Sequence, residues 1–362
     1  MPVASVFACI VLVLLLSPGA YSQQRDTADL SRLHFSGLPV VYYTPETKLA
    51  FGGLGIITFA NRHYRQRYPS QVQLGAAYTT NQQLLFYVPF RVYLAKDLFT
   101  AYGELGYYKY SYFFYGIGNT QPVDYKELYK VNYPRVRVNG LIRVTPFVYA
   151  GIRYWYENFN IVQTEPGKEL ATDPTITGAR GGITSGVGPV VNIDSRDNLF
   201  SPAHGWFGEA AVQRYDRSLG SDFWYSRYSA DLSHYFAVTK KTVLAANIFF
   251  DAVTGNAPFN QLALLGGNKK MRGYYEGRYR DKDLLVTGVE YRFPVWWRFG
   301  AVVFANGGGV ADHLSAVWSS FRTSGGAGLR YLLNKKDKVN IRLDAAFGQH
   351  SSGYYFTIGE AF

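Results

Sequence analysis

The sequence contains a single cysteine, and this scarcity limits the chemistry available to the protein. Cys9 lies inside an N-terminal apolar stretch and not at its end, where the cysteine of a lipoprotein would stand. One cysteine excludes internal disulfides and cysteine-based zinc sites, and its removal with an export signal would exclude thiol chemistry as well. None of the six histidines has the i,i+4 or His-Glu-x-x-His spacing of a zinc site. We therefore expect no metal and no other cofactor.

Long hydrophobic runs are equally scarce, which argues against helices that cross a membrane. The one sustained run, within residues 3–16, is shorter than the roughly 20 residues that such a helix needs. Small residues at Ala20 and Ser22 follow it and fit a signal-peptidase site, although no Lys or Arg precedes it. We therefore predict a signal peptide over residues 1–22 and an exported chain that begins at Gln23. A short membrane anchor or a buried strand is the alternative for this segment.

Aromatic residues and glycine, by contrast, are abundant. Aromatic side chains make up 17% of the chain, with 31 tyrosines, and there are 37 glycines. This composition is typical of membrane barrels, whose rings anchor at both interfaces and whose glycines let the strands tilt. The net charge of +11 could indicate nucleic acid binding, but in an exported barrel it indicates lumen cations and contacts with anionic lipid head groups. We therefore expect outer-membrane lipids, and no nucleic acid, as partners.

Apolar and polar residues alternate in the way that a membrane-spanning β-strand requires. The pattern is clearest over residues 224–236, 285–293 and 339–347. In the last of these, one face carries apolar residues and the other carries Arg342 and Asp344. The dry core of a soluble β-sandwich would not accept such charges repeatedly, whereas a water-filled lumen can. The sequence therefore predicts an all-β fold, a transmembrane antiparallel β-barrel.

The alternating segments add up to about sixteen strands, within the range of bacterial outer-membrane barrels. The long connections between them lie near 112–128, 162–179, 253–283 and 311–321. Long extracellular loops and tight periplasmic turns are the usual organisation of these barrels, and the order of long and short connections fits it. We predict a barrel over residues 38–362 after a short periplasmic lead over 23–37. Residues 38–60 could hold one strand or two.

A tetrad in the long connection near 253–283 stands out from the strand pattern. It reads Met271-Arg272-Gly273-Tyr274. The next strand carries Glu290 and Arg292 on one face, and the strand after it carries Phe304-Ala305-Asn306-Gly307-Gly308. Motifs of this kind, in this order, are more specific than the tetrad alone.

These elements resemble those of the BamA/TamA-type outer-membrane assembly and translocation barrels, also called the bacterial surface antigen family. An Asp-x-Arg-Asp-Asn element at residues 194–198, which predicts a strand end and a long periplasmic turn, adds to the likeness. The resemblance covers about residues 180–362. It implies that the sixth extracellular loop folds back into the lumen, where Arg272 docks on acidic residues of the next two strands. The docking partners implied in the wall are Glu290, Arg292, Phe304 and Asn306, the last in place of the family's aspartate.

The chemistry of the tetrad favours the same docking. A guanidinium taken out of water needs acceptors, and leaving a buried charge unpaired costs about 3–5 kcal/mol. Glu290 is the natural partner of Arg272, although Arg292 competes for the same carboxylate. Gly273 permits a positive φ, and Tyr274 can pack in the lumen and bond through its hydroxyl. With an amide in place of the second acid, we predict one carboxylate partner and looser docking than in relatives; the alternative is an arginine exposed at the cell surface.

The resemblance implies assembly or translocation of outer-membrane proteins in the bacterial outer membrane, without enzymatic activity. Relatives carry periplasmic POTRA domains that receive client proteins, and we expect a member without them, since the lead over 23–37 is too short for one. The expected partners are therefore unfolded outer-membrane proteins or a separate periplasmic protein. The alternative is a passive channel or structural surface barrel without an assembly role. A hydrolase at the outer rim, using His313 and His350, is a distant third, because solvated loop residues explain both histidines more simply.

The sequence ends on an aromatic residue, Phe362, which assembly machinery can read as a signal. Extending the alternation through the last strand predicts that Phe362 faces lipid with Tyr354, Phe356 and Ile358. Glu360 falls on the same face and does not fit there. In the family that the sequence resembles, the seam between this last strand and the first one opens laterally.

Overall fold

The computed structural model describes residues 33–44, 47–59, 70–335 and 338–362. The predicted signal peptide, residues 1–22, lies outside the described residues, and so does most of the predicted lead. Within the described residues, sixteen strands form one closed antiparallel barrel in which the first strand meets the last. The predicted all-β barrel of about sixteen strands is thereby confirmed.

The barrel strands, in chain order, are β1 (His34–Thr44), β2 (Lys48–Phe59), β3 (Ser70–Thr79), β4 (Leu84–Leu94), β5 (Phe99–Phe114), β6 (Glu127–Arg143), β7 (Val148–Gln163), β8 (Gly182–Asp194), β9 (Gly205–Tyr215), β10 (Tyr225–Ala237), β11 (Val243–Gly255), β14 (Asp283–Trp296), β15 (Phe299–Ala311), β16 (Arg322–Asn334), β17 (Val339–Gly348) and β18 (Ser351–Ile358). Two short strands, β12 (Ala263–Leu265) and β13 (Tyr279–Asp281), pair with each other inside one connection. The first strand begins at His34 and not at residue 38, so it includes the end of the predicted lead. Residues 38–60 belong to two strands.

The alternation of side chains follows from the two environments of the wall. In β17, Arg342 and Asp344 point inward and are 2% and 1% exposed, whereas Leu343 and Phe347 point outward and are 43% and 56% exposed. Apart from the joint between β1 and β18, each strand satisfies its backbone through its neighbours, so the outward side chains alone have to suit an apolar surrounding. The inward polar side chains are left to pair with one another.

The connections differ between the two ends of the barrel. One end carries the long connections 115–126, 164–181, 216–224, 256–282 and 312–321. The other end carries mainly short turns, such as 95–98, 144–147 and 238–242. Long loops lie at the cell surface in barrels of this kind, and the connection 256–282 is the sixth at that end.

Helical structure is sparse in the part of the chain that the structure describes. No helix there is long and apolar enough to cross a bilayer. The helical turn α1 (Glu169–Thr172) lies in the connection 164–181.

Side chains from the outer loops fill the upper lumen. Leu170, from α1, and Ile176 pack with Phe259 against aromatic residues of the wall. These wall residues are Tyr108, Phe114, Tyr129, Tyr133 and Phe159. The outer part of the lumen beside β5–β7 is thus occupied by packed side chains.

Candidate functional site

The connection 256–282, called the lumen loop below, contacts opposite walls of the barrel. On one side, Gln261 Nε2 donates a hydrogen bond to Glu157 Oε2 of β7 at 3.0 Å. On the other side, the tetrad contacts β14 and β17. Arg278 Nη2 also donates to two carbonyl oxygens of the connection 115–126, at 3.1 Å each. These contacts hold the loop against the inner face of the wall.

Arg272 is the centre of this attachment. Its side chain is 1% exposed and donates to Asp344 Oδ2 at 2.6 Å and to Glu290 Oε1. Glu290 belongs to β14 and Asp344 to β17, and both carboxylates are buried. Arg272 Cζ also stands 3.5 Å from the centre of the Phe304 ring of β15, a cation–π contact. One loop cation is therefore held by two anions and one ring from three strands.

Three wall arginines share the same carboxylates: Arg292 pairs with Glu290, Arg330 pairs with Asp344, and Arg342 lies 3.6 Å from Asp344. Arg292 Nε donates to Glu290 Oε2 at 3.0 Å, and Arg330 Nη1 donates to Asp344 Oδ1 at 2.6 Å. Each carboxylate therefore accepts hydrogen bonds from the loop arginine and from one wall arginine. Buried charges are tolerated only when they are paired, so the loop and the wall depend on each other electrostatically.

The other members of the tetrad fix the loop by packing and by backbone geometry. Met271 is fully buried among apolar residues of the loop and the wall. Gly273 has a φ of +102°, and its N–H donates to the Tyr355 hydroxyl at 3.0 Å. A Cβ at this position would come within 3.1 Å of the β17 backbone, so space as well as conformation favours glycine. The Tyr274 hydroxyl accepts from the N–H of Gln349 at 2.7 Å and donates to a carbonyl of β16 at 3.1 Å.

The four predicted docking partners stand in different relations to the loop. Glu290 and Phe304 contact Arg272 directly, and Arg292 reaches it through the shared carboxylate of Glu290. Across the described chain, no hydrogen bond or ion pair joins Asn306 to Arg272. The Asn306 amide instead donates to a serine hydroxyl of β16 at 3.3 Å.

Two predictions about the dock are therefore wrong. Arg272 has a second carboxylate partner, Asp344, which sequence reasoning missed. Asp344 shares the inward face of its strand with Arg342, and that inward acid is the signal from which it could be found. The alternative of an arginine exposed at the cell surface is also wrong, because the Arg272 side chain is 1% exposed. Looser docking than in relatives stays a prediction.

The Asp-x-Arg-Asp-Asn element forms a long periplasmic turn, 195–204, as the sequence predicts. Asp194 accepts two hydrogen bonds from the Arg196 guanidinium, at 2.9 and 2.8 Å. Asp197 accepts from two backbone N–H groups at the end of the turn, at 2.8 and 3.2 Å. Asp197 also lies 3.6 Å from Lys338 of the β16–β17 turn, so the longer turn reaches across the periplasmic opening.

The end of the chain turns into the lumen. Strand β18 ends at Ile358, and Gly359 has a φ of +89°, a left-handed conformation that breaks the strand. Glu360 then faces inward and accepts hydrogen bonds from Arg330 Nε at 2.8 Å and from Asn340 Nδ2 at 2.7 Å. The tail thereby joins the charge network of the dock, since Arg330 also binds one of its carboxylates.

The predicted lipid-facing position of Phe362 is wrong. Its carbonyl oxygen accepts a hydrogen bond from Arg292 Nη2 at 2.9 Å, and its ring centre is 5.8 Å from the same guanidinium. The alternation in the sequence continues through Gly359, but the strand ends before it. Glu360, which does not fit on a lipid-facing surface, belongs to the lumen for the same reason.

The barrel is closed by its least paired joint, between β1 and β18. Strand β18 is in register with β17 along its whole length, from Ile358 to Ser351. On its other side, among the described residues, β18 is in register with β1 at a single pair, Tyr43 with Phe356. Strand β1 pairs along its whole length with β2. Few backbone hydrogen bonds therefore hold this seam.

Solved structures share the fold at low sequence identity. BamA from Haemophilus ducreyi, in a form lacking POTRA domains 1–3, matches with a TM-score of 0.61 and 14% identity over 91% of this chain and 70% of that chain. CdiB from Acinetobacter baumannii matches with a TM-score of 0.55 and 11% identity over 90% of this chain and 59% of that one. CdiB from Escherichia coli matches with a TM-score of 0.61 and 10% identity over 92% of this chain and 69% of that one.

The family of the chain is given by its sequence. No curated protein matches it significantly. The sequence pattern of the Omp85 superfamily domain, however, matches residues 66–362, which include most of the barrel and the whole of the dock. The chain belongs to the Omp85 superfamily of bacterial outer-membrane β-barrels.

Proposed function

We propose that this barrel assembles or translocates outer-membrane proteins. The observation that carries the proposal is the buried attachment of Arg272, in the sixth outer loop, to two carboxylates of the wall. A buried ion pair seldom adds stability over apolar residues of similar size, so we attribute its presence to function and not to stability. The tetrad around Arg272 is also the element by which the sequence resembles assembly barrels.

The seam between β1 and β18 supplies a route for the client. Because the paired residues there reduce to Tyr43 and Phe356, opening it breaks fewer backbone hydrogen bonds than opening any other joint among the described strands. An open seam has two free strand edges, and an extended client segment can pair with such an edge by β-augmentation. The docked loop would hold β14 and β17 in place while the seam opens.

The clients we propose are unfolded outer-membrane proteins, delivered by a separate periplasmic protein. The turn 195–204, tied to Lys338 by Asp197, is an ordered surface at the periplasmic opening that such a protein could contact. Phe362 as a signal for assembly machinery remains a prediction. Its position inside the lumen requires that it be read before the barrel closes.

A passive channel is the alternative, and the packed lumen argues against it. The lumen loop is held from β7 to β17, and loop residues pack with aromatic side chains on the inner face of β5–β7. We therefore expect small or erratic conductance in planar-bilayer recordings of the purified protein. A large and steady open pore would favour the channel.

We propose no catalytic role for the outer rim. His313 Nδ1 lies 2.5 Å from Asp312 Oδ1, but the two side chains are 62% and 68% exposed, as expected of solvated loop residues. Any esterase activity of the purified barrel should be unchanged in His313→Ala and His350→Ala.

Depletion in the native host tests the proposed function. The levels of other outer-membrane barrels should fall after depletion, and wild-type protein supplied in trans should restore them. Arg272→Ala should fail to restore them, whereas Lys269→Ala, which removes an exposed charge of the same loop, should succeed. Unchanged barrel levels after depletion would exclude an assembly role.

A further inference from the structure

The outward face of β5 marks the extent of the apolar band; on β4, Leu84, in register with Lys109, is still apolar. The outward residues of β5 from Phe99 to Tyr107 are apolar, aromatic or glycine, and those of β4 beside them, from Leu94 to Phe86, are apolar. The next outward residue of β5 is Lys109. The rise from Phe99 to Lys109 is about 25 Å for a strand tilted by about 40°, which equals the usual height of the apolar band. Lys109 therefore lies at the level of the outer-leaflet head groups.

Polar residues continue from Lys109 across the neighbouring strands at this level. Lys109 is in register with Asn132 of β6, and Asn132 is in register with Asn160 of β7. One step farther from the apolar band, Lys130 of β6 is in register with Ser111 of β5. All five alternate with inward residues that pack in the lumen, so their side chains face outward. These five residues are called the head-group patch below.

The head-group patch carries positive charge that no carboxylate among the described residues neutralises. It contains two lysines and no carboxylate, and neither lysine forms an ion pair within the described part of the chain. Elsewhere at the same end of the barrel, Arg214 of β9 pairs with Asp216 at 3.5 Å. The difference indicates that Lys109 and Lys130 are available to an anion outside the protein.

The wall behind the patch is closely packed. Tyr108 and Tyr133, which flank Lys109 and Asn132 along their strands, are buried and stack at 5.1 Å between ring centres. The two faces of the wall thus differ sharply, with a packed aromatic core inside and unpaired polar groups outside. A preordered surface loses less conformational entropy when it binds a ligand.

We propose that the head-group patch binds the phosphorylated glycolipid of the outer leaflet. The two ammonium groups would contact its phosphates, the amides of Asn132 and Asn160 would bond to its sugar hydroxyls, and Tyr107 would lie beneath them at the edge of the acyl chains. This inference is independent of the assembly function, since it uses the outer face of β5–β7 and neither the dock nor the seam.

Native mass spectrometry of the detergent-purified protein, titrated with lipid A, tests the proposal. The Lys109→Gln/Lys130→Gln double variant should raise the apparent Kd for lipid A by about 25-fold, at about fivefold per lysine. Replacing both lysines with arginine should preserve binding. The control is Lys240→Gln/Lys241→Gln, which removes two exposed charges from a periplasmic turn and should leave the Kd unchanged.

Two further probes identify the ligand. Lipid A without its phosphates should bind the wild-type protein as weakly as intact lipid A binds the double variant, and phosphatidylglycerol should bind more weakly than lipid A. An equal rise in Kd for the double variant and the control variant would overturn the proposal. So would an unchanged Kd for lipid A without its phosphates, or equal Kd values for phosphatidylglycerol and lipid A. Retained heat-modifiability on gels identifies the variants that are folded.

Discussion

Arg272 would be unstable at its position if either of its carboxylates were missing. Its guanidinium, Glu290 and Asp344 are each at most 1% exposed, so none regains water when a partner is removed. Removal of one member of such a group costs about 3–5 kcal/mol, a large share of an ordinary folding stability. The wall arginines Arg292 and Arg330 would remain with the carboxylates, so the loss falls mainly on the loop.

Arg272→Ala should release the lumen loop while the barrel stays folded, because Glu290 keeps Arg292 and Asp344 keeps Arg330. Cleavage of the loop by protease added to intact cells should rise by about tenfold or more, since about 1.4 kcal/mol already gives a factor of ten. Lys269→Ala should be cleaved at the wild-type rate. Equal protection of both variants would mean that Arg272 does not hold the loop.

Asn306→Asp should destabilise the protein even though it restores the aspartate of the family motif. The side chain is 5% exposed, and in the described chain its amide bonds to a hydroxyl and not to a cation. A carboxylate there would be buried without a partner, which costs several kcal/mol, so the urea midpoint of unfolding should fall. Asn306→Ser keeps a neutral polar group and serves as the control. A raised midpoint for Asn306→Asp would show that Arg272 can turn to meet it.

At this scale, the sequence predicts contacts between adjacent strands better than contacts across the lumen. Glu290 is 18 residues from Arg272 and lies on the strand that follows the loop, so its inward face was sufficient to identify it. Asp344 is 72 residues away, and its contact depends on how far the wall curves between β14 and β17. Alternation gives the face of a residue but not the curvature of the wall.

Among the elements, the tail 359–362 depends on one backbone conformation. At the φ of +89° found for Gly359, a residue with a Cβ costs about 1–2 kcal/mol. Gly359→Ala should therefore loosen the tail and weaken the bond from Arg330 to Glu360. With Phe362→Cys as a reporter in a Cys9→Ser background, labelling by a polar thiol reagent should become faster. Gly140→Ala, where a Cβ meets nothing within 4 Å, should leave labelling unchanged.

Predictions from the alternation fail or stay open where the backbone leaves the extended conformation. The strand β18 ends before Gly359, whereas the sequence predicts a strand up to Phe362 because the residues on either side of Gly359 still alternate. The hairpin at Lys48, with a φ of +57°, separates two strands over a stretch that the sequence left open between one strand and two. Strand faces are predictable while the chain is extended, and a single left-handed residue ends that predictability.

The periplasmic turn 195–204 should depend on pH through Asp197. Burial raises the pKa of this carboxyl, but the N–H groups of Ala203 and His204 and the charge of Lys338 outweigh it and hold the pKa below its usual value. The ionised carboxylate therefore stabilises the turn fully at pH values above the usual pKa of 3.8. This stabilisation is lost as the pH falls through the lowered pKa. Proteolysis of the turn by an acid-active protease should therefore increase on acidification below about pH 4. Asp197→Asn should abolish that increase; an unchanged acid response would exclude Asp197 as its source.

At the scale of the whole molecule, the repeated strand pattern predicts a barrel, but it does not predict which residues meet when the barrel closes. Each strand repeats the same alternation, and long and short connections take turns along the chain, so the class and the approximate strand number follow. The residues that meet across the lumen, the weak seam and the height of the wall above the apolar band depend on tilt and stagger, which no single segment encodes. The contact of Gln261 with Glu157 and that of Asp197 with Lys338 are examples.

A disulfide across the seam tests most directly whether the barrel acts by opening between β1 and β18. Tyr43→Cys/Phe356→Cys in a Cys9→Ser background joins the pair in register there, whose spacing in an antiparallel ladder suits a disulfide. Ala327→Cys/Ala345→Cys joins β16 to β17, a fully paired joint, and is the control. Outer-membrane barrel levels are measured in depleted cells that express each variant, with and without a reductant. The seam-locked protein should restore these levels only when reduced, while the control should restore them in both conditions. Full restoration by the oxidised seam-locked protein would contradict opening between β1 and β18.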